Sequence, residues 1–289
     1  MDLISVLLIS LPIYMVVPFL YWTKRQHKVK RKDPFYEFDI ERPAGYSLNN
    51  ELLSKAFDTG ALFAHLIIIG SVFSILIINQ AVNLPTKISI TAILFIFLVF
   101  TIKGVVKHQQ HIFNLRDGLK AEQLVGQSLT QLLYDKFYVY HDIPATSLKF
   151  NVDHVVVCPS GVFAIETKSR RKGITGTHHK VSVKNDKLEF STWTDTKTIE
   201  QAKRQTKWLS QELTSSTGEY VPVTPIVALP GYFVERKDNS SVLVLNHKLL
   251  SSAKNYISNN QLSQQQIERI CHQLKQMQRV DSELQKAKS

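Results

Sequence analysis

Cysteine is scarce in this chain, with only Cys158 and Cys271 among 289 residues. That excludes a disulfide framework and any CxxC pair for zinc or redox chemistry, and it suits a reducing cytosol. No internal repeat is evident, so a solenoid or propeller is excluded. The apolar content of 44% excludes global disorder, which would require far less Ile, Leu, Val and Phe. An acidic excess is also missing: 35 Lys and Arg face 24 Asp and Glu, a formal charge of +11. The mean hydropathy of −0.07 resembles that of a soluble protein, but it averages two unlike parts. Apolar residues crowd the first 106 positions, and most charges lie beyond them.

Three stretches lack charge almost entirely. Residues 3–23 carry no charged side chain and reach the roughly 20 residues that a bilayer-spanning helix needs. Pro12 and Pro18 are tolerated better in lipid than in water, and Tyr21 and Trp22 suit an interfacial belt. A cleaved signal peptide fits less well, because the preceding flank, Met1-Asp2, is not basic and no small-x-small site follows. The next nine residues, 24–32, hold six Lys or Arg, which the positive-inside rule keeps in the cytoplasm. Beyond a connector at 24–58, two further apolar runs at about 61–78 and 86–105 make a helical hairpin within 59–106. Its turn carries a single charge, Lys87, and His65 in the first arm reads as a neighbour-bonded side chain. The expectation is an integral protein of a bacterial inner membrane, with three transmembrane helices, the N-terminus outside and everything after Lys103 cytoplasmic.

The remainder alternates helix and strand periodicities. Val125, Leu129, Leu132 and Leu133 form a helical stripe, with Asp117 as its expected N-cap. Glu122 falls on that inward stripe, which calls for a capping, dipole or site role. Strand-like runs follow at 137–143, 150–157 and 162–168, the last two joined across Cys-Pro-Ser-Gly as an antiparallel hairpin. Shorter runs at 180–184 and 188–191 flank Asn185-Asp186, a helix spans about 198–213, and strands follow at 224–229 and 241–245. Helices are expected at about 248–257 and from Ser263, which forms a capping box with Gln266, to about 284.

Three polar residues interrupt the apolar strand hairpin. Glu166 and Lys168, two apart, share one face of their strand, and Asp153 sits across the turn. Two carboxylates, with the Thr167 carbonyl as a further oxygen, suit Mg²⁺ or Mn²⁺, and an adjacent lysine suits work on an attacking water. A structural ion pair between Glu166 and Lys168 is the competing reading, and residue chemistry alone does not separate the two.

These residues also resemble a family. Residues 115–237 look like the nuclease-related domain, a branch of the PD-(D/E)xK nuclease-like fold. The resemblance rests on Gly118-x-x-x-Glu122, on Asp153-His154-Val155-Val156-Val157 followed by Pro159 through Lys168, on Gly173-x-x-Gly176, and on Gln201. Val152 stands where the name-giving proline would be, and no Asn-Pro precedes Gln201. The resemblance implies an α/β fold with a restriction-endonuclease-like mixed sheet flanked by helices, and residue patterning adds a C-terminal strand and helices at 238–289. It implies Asp153 and Glu166 as metal carboxylates, Lys168 as the catalytic lysine, Glu122 as an assisting acid, and Gln201 as a positioning residue.

Residues 103–289 hold 26 Lys and Arg against 17 Asp and Glu. Arg170, Arg171 and Lys172 follow the candidate site directly, and Lys203, Arg204 and Lys207 share a helix with Gln201, so both clusters are candidates for gripping a nucleic-acid backbone. His178 and His179, adjacent on an extended run, point apart and make a poor joint ligand pair. The leading expectation is a membrane-anchored, Mg²⁺-dependent nuclease acting on DNA. The alternative is an inactive nuclease-like module that tethers DNA or a protein to the lipid bilayer. Self-association into a homo-oligomer stays open.

Overall fold

A computed structural model describes residues 22, 40–78, 83–135, 137–145, 148, 150–173, 178–238, 240–250 and 261–279, except for the side chains of 56–57, 61–65, 77–78 and 134–135. Apart from Trp22, the first apolar run and the basic block lie outside these residues. So do Gly176, the side chain of His65 and the expected helix beyond residue 250.

The chain divides into two compact units, one comprising residues 1–38 and 50–114, the other residues 39–49 and 115–289. In the first unit, helix α1 (Tyr46–Ile78) and helix α2 (Leu84–Thr130) meet through polar contacts near their charged ends. His111 Nε2 lies 3.1 Å from Glu51 Oε1, and His108 Nε2 lies 2.9 Å from Thr59 Oγ1 and 3.1 Å from the Lys55 carbonyl. Of the three expected spans, the described residues hold one helix long and apolar enough to cross a membrane, within Leu84–Leu133, and a shorter apolar stretch, Leu66–Leu76.

Helix α2 corrects one expectation. Asp117 does not cap a new helix, because the helix continues unbroken from Leu84 to Thr130. The Asp-Gly pair looks like a boundary in sequence, yet Gly118 is absorbed mid-helix with Leu48 packed close by, 3.1 Å from where a Cβ would sit. Glu122 therefore lies far from any helix start, and a capping or dipole role falls away.

The second unit is mixed α/β, with two mixed sheets. Strands β1 (Tyr138–Ala145), β2 (Phe150–Cys158) and β3 (Gly161–Thr167) run antiparallel. Beyond β3, β7 (Val223–Ala228) and β9 (Leu243–Leu245) extend the sheet in parallel, giving the order β1-β2-β3-β7-β9. A smaller sheet is built from β4 (Lys180–Lys184), β5 (Lys187–Glu189), β6 (Thr194–Asp195) and β8 (Phe233–Arg236), in the order β6-β5-β4-β8. Its strands β6 and β8 were not expected, being only two and four residues long.

Both faces of the large sheet are covered, which is why β2 and β3 are apolar on both sides. Val155, Val157, Val162 and Ala164 pack against Leu209 and Leu213 of helix α3 (Lys197–Thr217) and Ile270 and Leu274 of helix α4 (Gln264–Gln278). The alternate residues Val156, Phe163 and Ile165 pack against Val125 and Leu129 of α2. The expected capping box at Ser263 and Gln266 starts α4. Residues 247–250 form a 3-10 turn where a longer helix was expected.

Residues 40–49 are a strap on this unit. Arg42 Nη1 makes a buried ion pair with Asp142 Oδ2 at 3.2 Å, and Ser47 Oγ donates to the same oxygen at 2.8 Å. Gln278 at the end of α4 donates to the Arg42 carbonyl at 2.7 Å. Asp142 adopts φ +52°, a left-handed conformation that Asp tolerates better than most residues.

Candidate active site

The antiparallel pairing of β2 and β3 ends at His154 with Ile165. One residue further, the strands part, and the Asp153 side chain takes over the role of the missing ladder: its Oδ2 accepts from the Thr167 amide at 2.6 Å. On the other side, Glu166 is level with Val227 of β7, and the Lys168 amide donates to the Ala228 carbonyl at 2.9 Å. The site therefore lies at the carboxyl ends of the parallel strands, a usual place for ligands in α/β sheets.

Glu166 is the hub of this notch. Its Oε1 receives Lys168 Nζ at 2.5 Å and Gln201 Nε2 at 2.8 Å. Its Oε2 is buried and has no hydrogen-bond partner among the described residues. Gln201 arrives there because Asp195 fixes the start of α3: Asp195 Oδ1 accepts from the amides of Lys197 and Thr198, at 2.9 and 3.0 Å. Burial pushes the Asp195 carboxyl up, but hydrogen bonds from Arg170 and Thr198 outweigh it and hold the group below its ordinary value.

Glu122 approaches from α2, on the opposite layer, and is buried. Burial first, and then the negative charges of Asp142 and Glu166, raise its carboxyl to about 8, against smaller opposing effects of Lys168 and the Gly45 amide. Asp153 is likewise raised well above its ordinary value by burial and by Glu166 and Glu122, partly offset by the Thr167 hydrogen bond and Lys168. Three acids thus repel one another in a space with one compensating lysine. Beside them, His141 and His154 meet Nδ1 to Nδ1 at 2.8 Å, both held below their ordinary value by burial.

The residues singled out in the sequence separate into two groups. Glu122, Asp153, Glu166, Lys168 and Gln201 share the notch, with Thr167 giving its amide to Asp153 and leaving its Oγ1 buried without a partner. The basic residues are mostly engaged elsewhere. Arg170 bonds Asp195 at 2.6 Å, Arg171 bonds Asp117 at 2.5 Å, and Lys172 bonds the Gly231 carbonyl at 2.5 Å. Lys203 bonds Asp186 at 2.6 Å, and the Arg204 guanidinium lies 5.9 Å from the Phe150 ring centroid. Lys203 and Lys207 also line a groove of about 560 Å³ between α3 and β7. Sequence reasoning missed Asp142, Arg42 and Asn151, whose Nδ2 donates to Asp142 Oδ1 at 3.2 Å. Asp142 lies 100 residues from Arg42 and 9 from Asn151, and no motif marks them.

The donor set suits a hard cation in part. Two carboxylates, one with an unpartnered buried oxygen, and the mutual repulsion of three acids favour a positive guest. Among the described residues, no group of three or more His, Cys, Asp or Glu side chains is arranged to enclose a metal. A bound ion would therefore depend on Asp153, Glu166, a backbone carbonyl and water, the open shell that Mg²⁺ commonly keeps.

Residues 117–230 match the family model of the nuclease-related domain, NERD. Comparison with curated proteins and with solved structures found no match in either.

Proposed function

We propose that the protein is a membrane-anchored, metal-dependent nuclease that hydrolyses DNA phosphodiesters on the cytoplasmic side. The observation that carries this reading is the Glu166 hub, a buried carboxylate with one oxygen bound by Lys168 and Gln201 and the other left without a partner. Asp153 and Glu166 would hold Mg²⁺ or Mn²⁺, which when bound supplies Lewis-acid stabilisation of a phosphodiester oxygen. Lys168, turned from Glu166 toward the phosphate, would orient the attacking water and offset the developing negative charge. Gln201 holds the Glu166 carboxylate in one orientation. Glu122, its carboxyl pushed up to about 8 by burial and by Asp142 and Glu166, would assist as an acid. The apolar helices anchor the enzyme in the lipid bilayer, and the basic block at 24–32 supports the orientation.

A second reading has its own observation. Lys168 lies directly on Glu166, as in a structural ion pair, an arrangement equally suited to an inactive module that binds DNA or protein. Nuclease assays with Mg²⁺ and Mn²⁺ on the full chain and three variants separate the two. For the enzyme, Asp153→Asn and Glu166→Gln abolish cleavage and metal binding, while Lys168→Ala abolishes cleavage and largely spares the metal. For the inactive module, Lys168→Ala strands a buried carboxylate, stability drops by about 3 to 5 kcal/mol, and metal changes nothing.

A further inference from the structure

Residues 44–48 lie across α2, and they do so over Glu122. Ala44 meets the helix at Gly126, its Cβ 2.8 Å from where a Cβ on that glycine would sit, and Leu48 meets it at Gly118, 3.1 Å from the corresponding point. Glu122 lies midway, one helical turn from each glycine and on the same face of α2. Between the two contacts, Gly45 sits so close to Leu119 Cδ1 that no side chain would fit. Gly45 has φ +78°, and the Tyr46 amide donates to the Pro43 carbonyl at 3.1 Å, so residues 43–46 form a turn with glycine third, the type II pattern. The turn's own hydrogen bond leaves the Gly45 amide free, and that amide donates to the Glu122 carboxyl. The Gly45 carbonyl accepts from the Asn49 amide at 2.9 Å, which opens α1.

A second acid meets the same turn. Amides at a helix start lack partners within the helix and carry its positive end. Ordinarily the residue before the helix supplies a side-chain oxygen to them, which glycine cannot do. Asp142 supplies it instead, 95 residues from Ser47: its Oδ1 accepts from the Ser47 amide at 3.4 Å and its Oδ2 from Ser47 Oγ at 2.8 Å. Asn151 Nδ2 braces the pair, donating to Ser47 Oγ at 2.6 Å and to Asp142 Oδ1 at 3.2 Å. Asp142 is level with Asp153, between the paired residues His141 with His154 and Ile143 with Val152. The first turn of α1 is therefore fastened to the strand that runs beside the notch and to the helix that brings Glu122 into it.

We propose that the first turn of α1 is a wall of the notch, with Gly45 a positioning residue that fixes the orientation of the Glu122 carboxyl and Ser47 and Asp142 fastening the turn in place. The proposal rests on the nuclease reading for what Glu122 does, and it deepens that reading by naming what the acid depends on. The residues that match the family model, 117–230, do not include this wall. Because the same turn opens α1, which carries the apolar stretch Leu66–Leu76, loosening the start of that helix releases Glu122.

The test is a double-mutant cycle on the full chain in detergent, read first as Mn²⁺-dependent cleavage of a fluorescent DNA duplex. Gly45→Ala, whose methyl drives the turn off Leu119, is expected to lower kcat roughly 10-fold with KM unchanged, the worth of one misplaced hydrogen bond to a charged group. Glu122→Met should lower kcat at least as far, and adding Gly45→Ala to it should lower kcat no further, because the group that Gly45 acts through is gone. Ser47→Ala should follow Gly45→Ala more weakly, and Ser47→Thr, which keeps the hydroxyl, should cleave like wild type. If the losses multiply in the double variants, or if Gly45→Ala and Ser47→Ala both cleave like wild type, the positioning role is overturned. The cycle is read a second time as stability in EDTA, by hydrogen exchange of the β2 and β3 amides. There the double variant should be less destabilised than the two single changes together, and simple additivity would again overturn the wall. Coupled stability in a chain that cleaves nothing defeats the nuclease reading alone, whereas cleavage with multiplying losses defeats the positioning role alone.

Discussion

Glu122 is the residue whose surroundings say most about the notch. Burial and the charges of Asp142 and Glu166 push its carboxyl from an ordinary 4.5 up to about 8 in the folded protein. Between those values the folded chain holds more protons than the unfolded one. The stabilising contribution is therefore complete below the unfolded value and is lost as pH rises through the folded one. The loss is at most about 1.4 kcal/mol per pH unit, and Asp153, also raised, adds to it in the same direction. Hydrogen exchange of the β2 and β3 amides in the full chain should therefore show stability falling from pH 5 to pH 8. In Glu122→Gln the slope should flatten. A wild type equally stable at both pH values would show that the acids do not crowd one another. Mn²⁺ should stabilise more at pH 8 than at pH 5, since a cation relieves the repulsion that appears as the acids ionise. The acids and Lys168 were legible in sequence because strand alternation and the family pattern agree on them. That Glu166 would be the hub was not, because Gln201 and Lys168 both choosing Oε1 is a matter of side-chain geometry.

At the scale of elements, the large sheet and helices α3 and α4 were legible from periodicity, whereas continuous helix α2 was not. Asp-Gly signals a boundary locally, and only the packing of Leu48 on Gly118 and of Ala44 on Gly126 shows the helix carrying on. The strap at 40–49 was illegible for a similar reason: its charged and small residues read as a polar connector until Asp142 is seen to receive them. Gly126 gives a clean test of that docking. In an isolated helix, Gly→Ala gains about 1 kcal/mol. Here the new methyl would stand 2.8 Å from the Ala44 Cβ, which cannot swing away because it is fixed to the backbone. Gly126→Ala is therefore expected to destabilise the second unit by about 1 to 3 kcal/mol, the usual cost of overpacking. Faster hydrogen exchange at residues 42–47 would locate the damage. A stabilised variant with an undisturbed strap would mean that residues 40–49 do not pack there. A companion change, Arg42→Met, leaves Asp142 buried without its ion pair and should cost about 3 to 5 kcal/mol.

For the whole molecule, the division of labour follows from where charge is absent and where it is concentrated. A helix within Leu84–Leu133 is long and apolar enough to cross a membrane, while the second unit carries the acids and most of the basic residues. Arg170, Arg171 and Lys203 are already paired with acids within the unit, so overall charge overstates the surface available to phosphate. Composition could not reveal this, because pairing depends on which acid each base meets in the fold. The orientation reading is open to a direct check. Under the positive-inside rule, six Lys or Arg at 24–32, against a turn between the hairpin arms with a single charge, would place both ends of the hairpin in the cytoplasm. A reporter fused after Ser289 should be active only as a cytoplasmic enzyme, and one inserted in the turn near Lys87 only as an external one. Replacing the six basic residues with Gln should make the orientation mixed, since nothing else in the short loops carries a comparable charge bias. A C-terminal fusion active only outside the cytoplasm would place the notch away from cellular DNA, and the nuclease reading would lose its substrate.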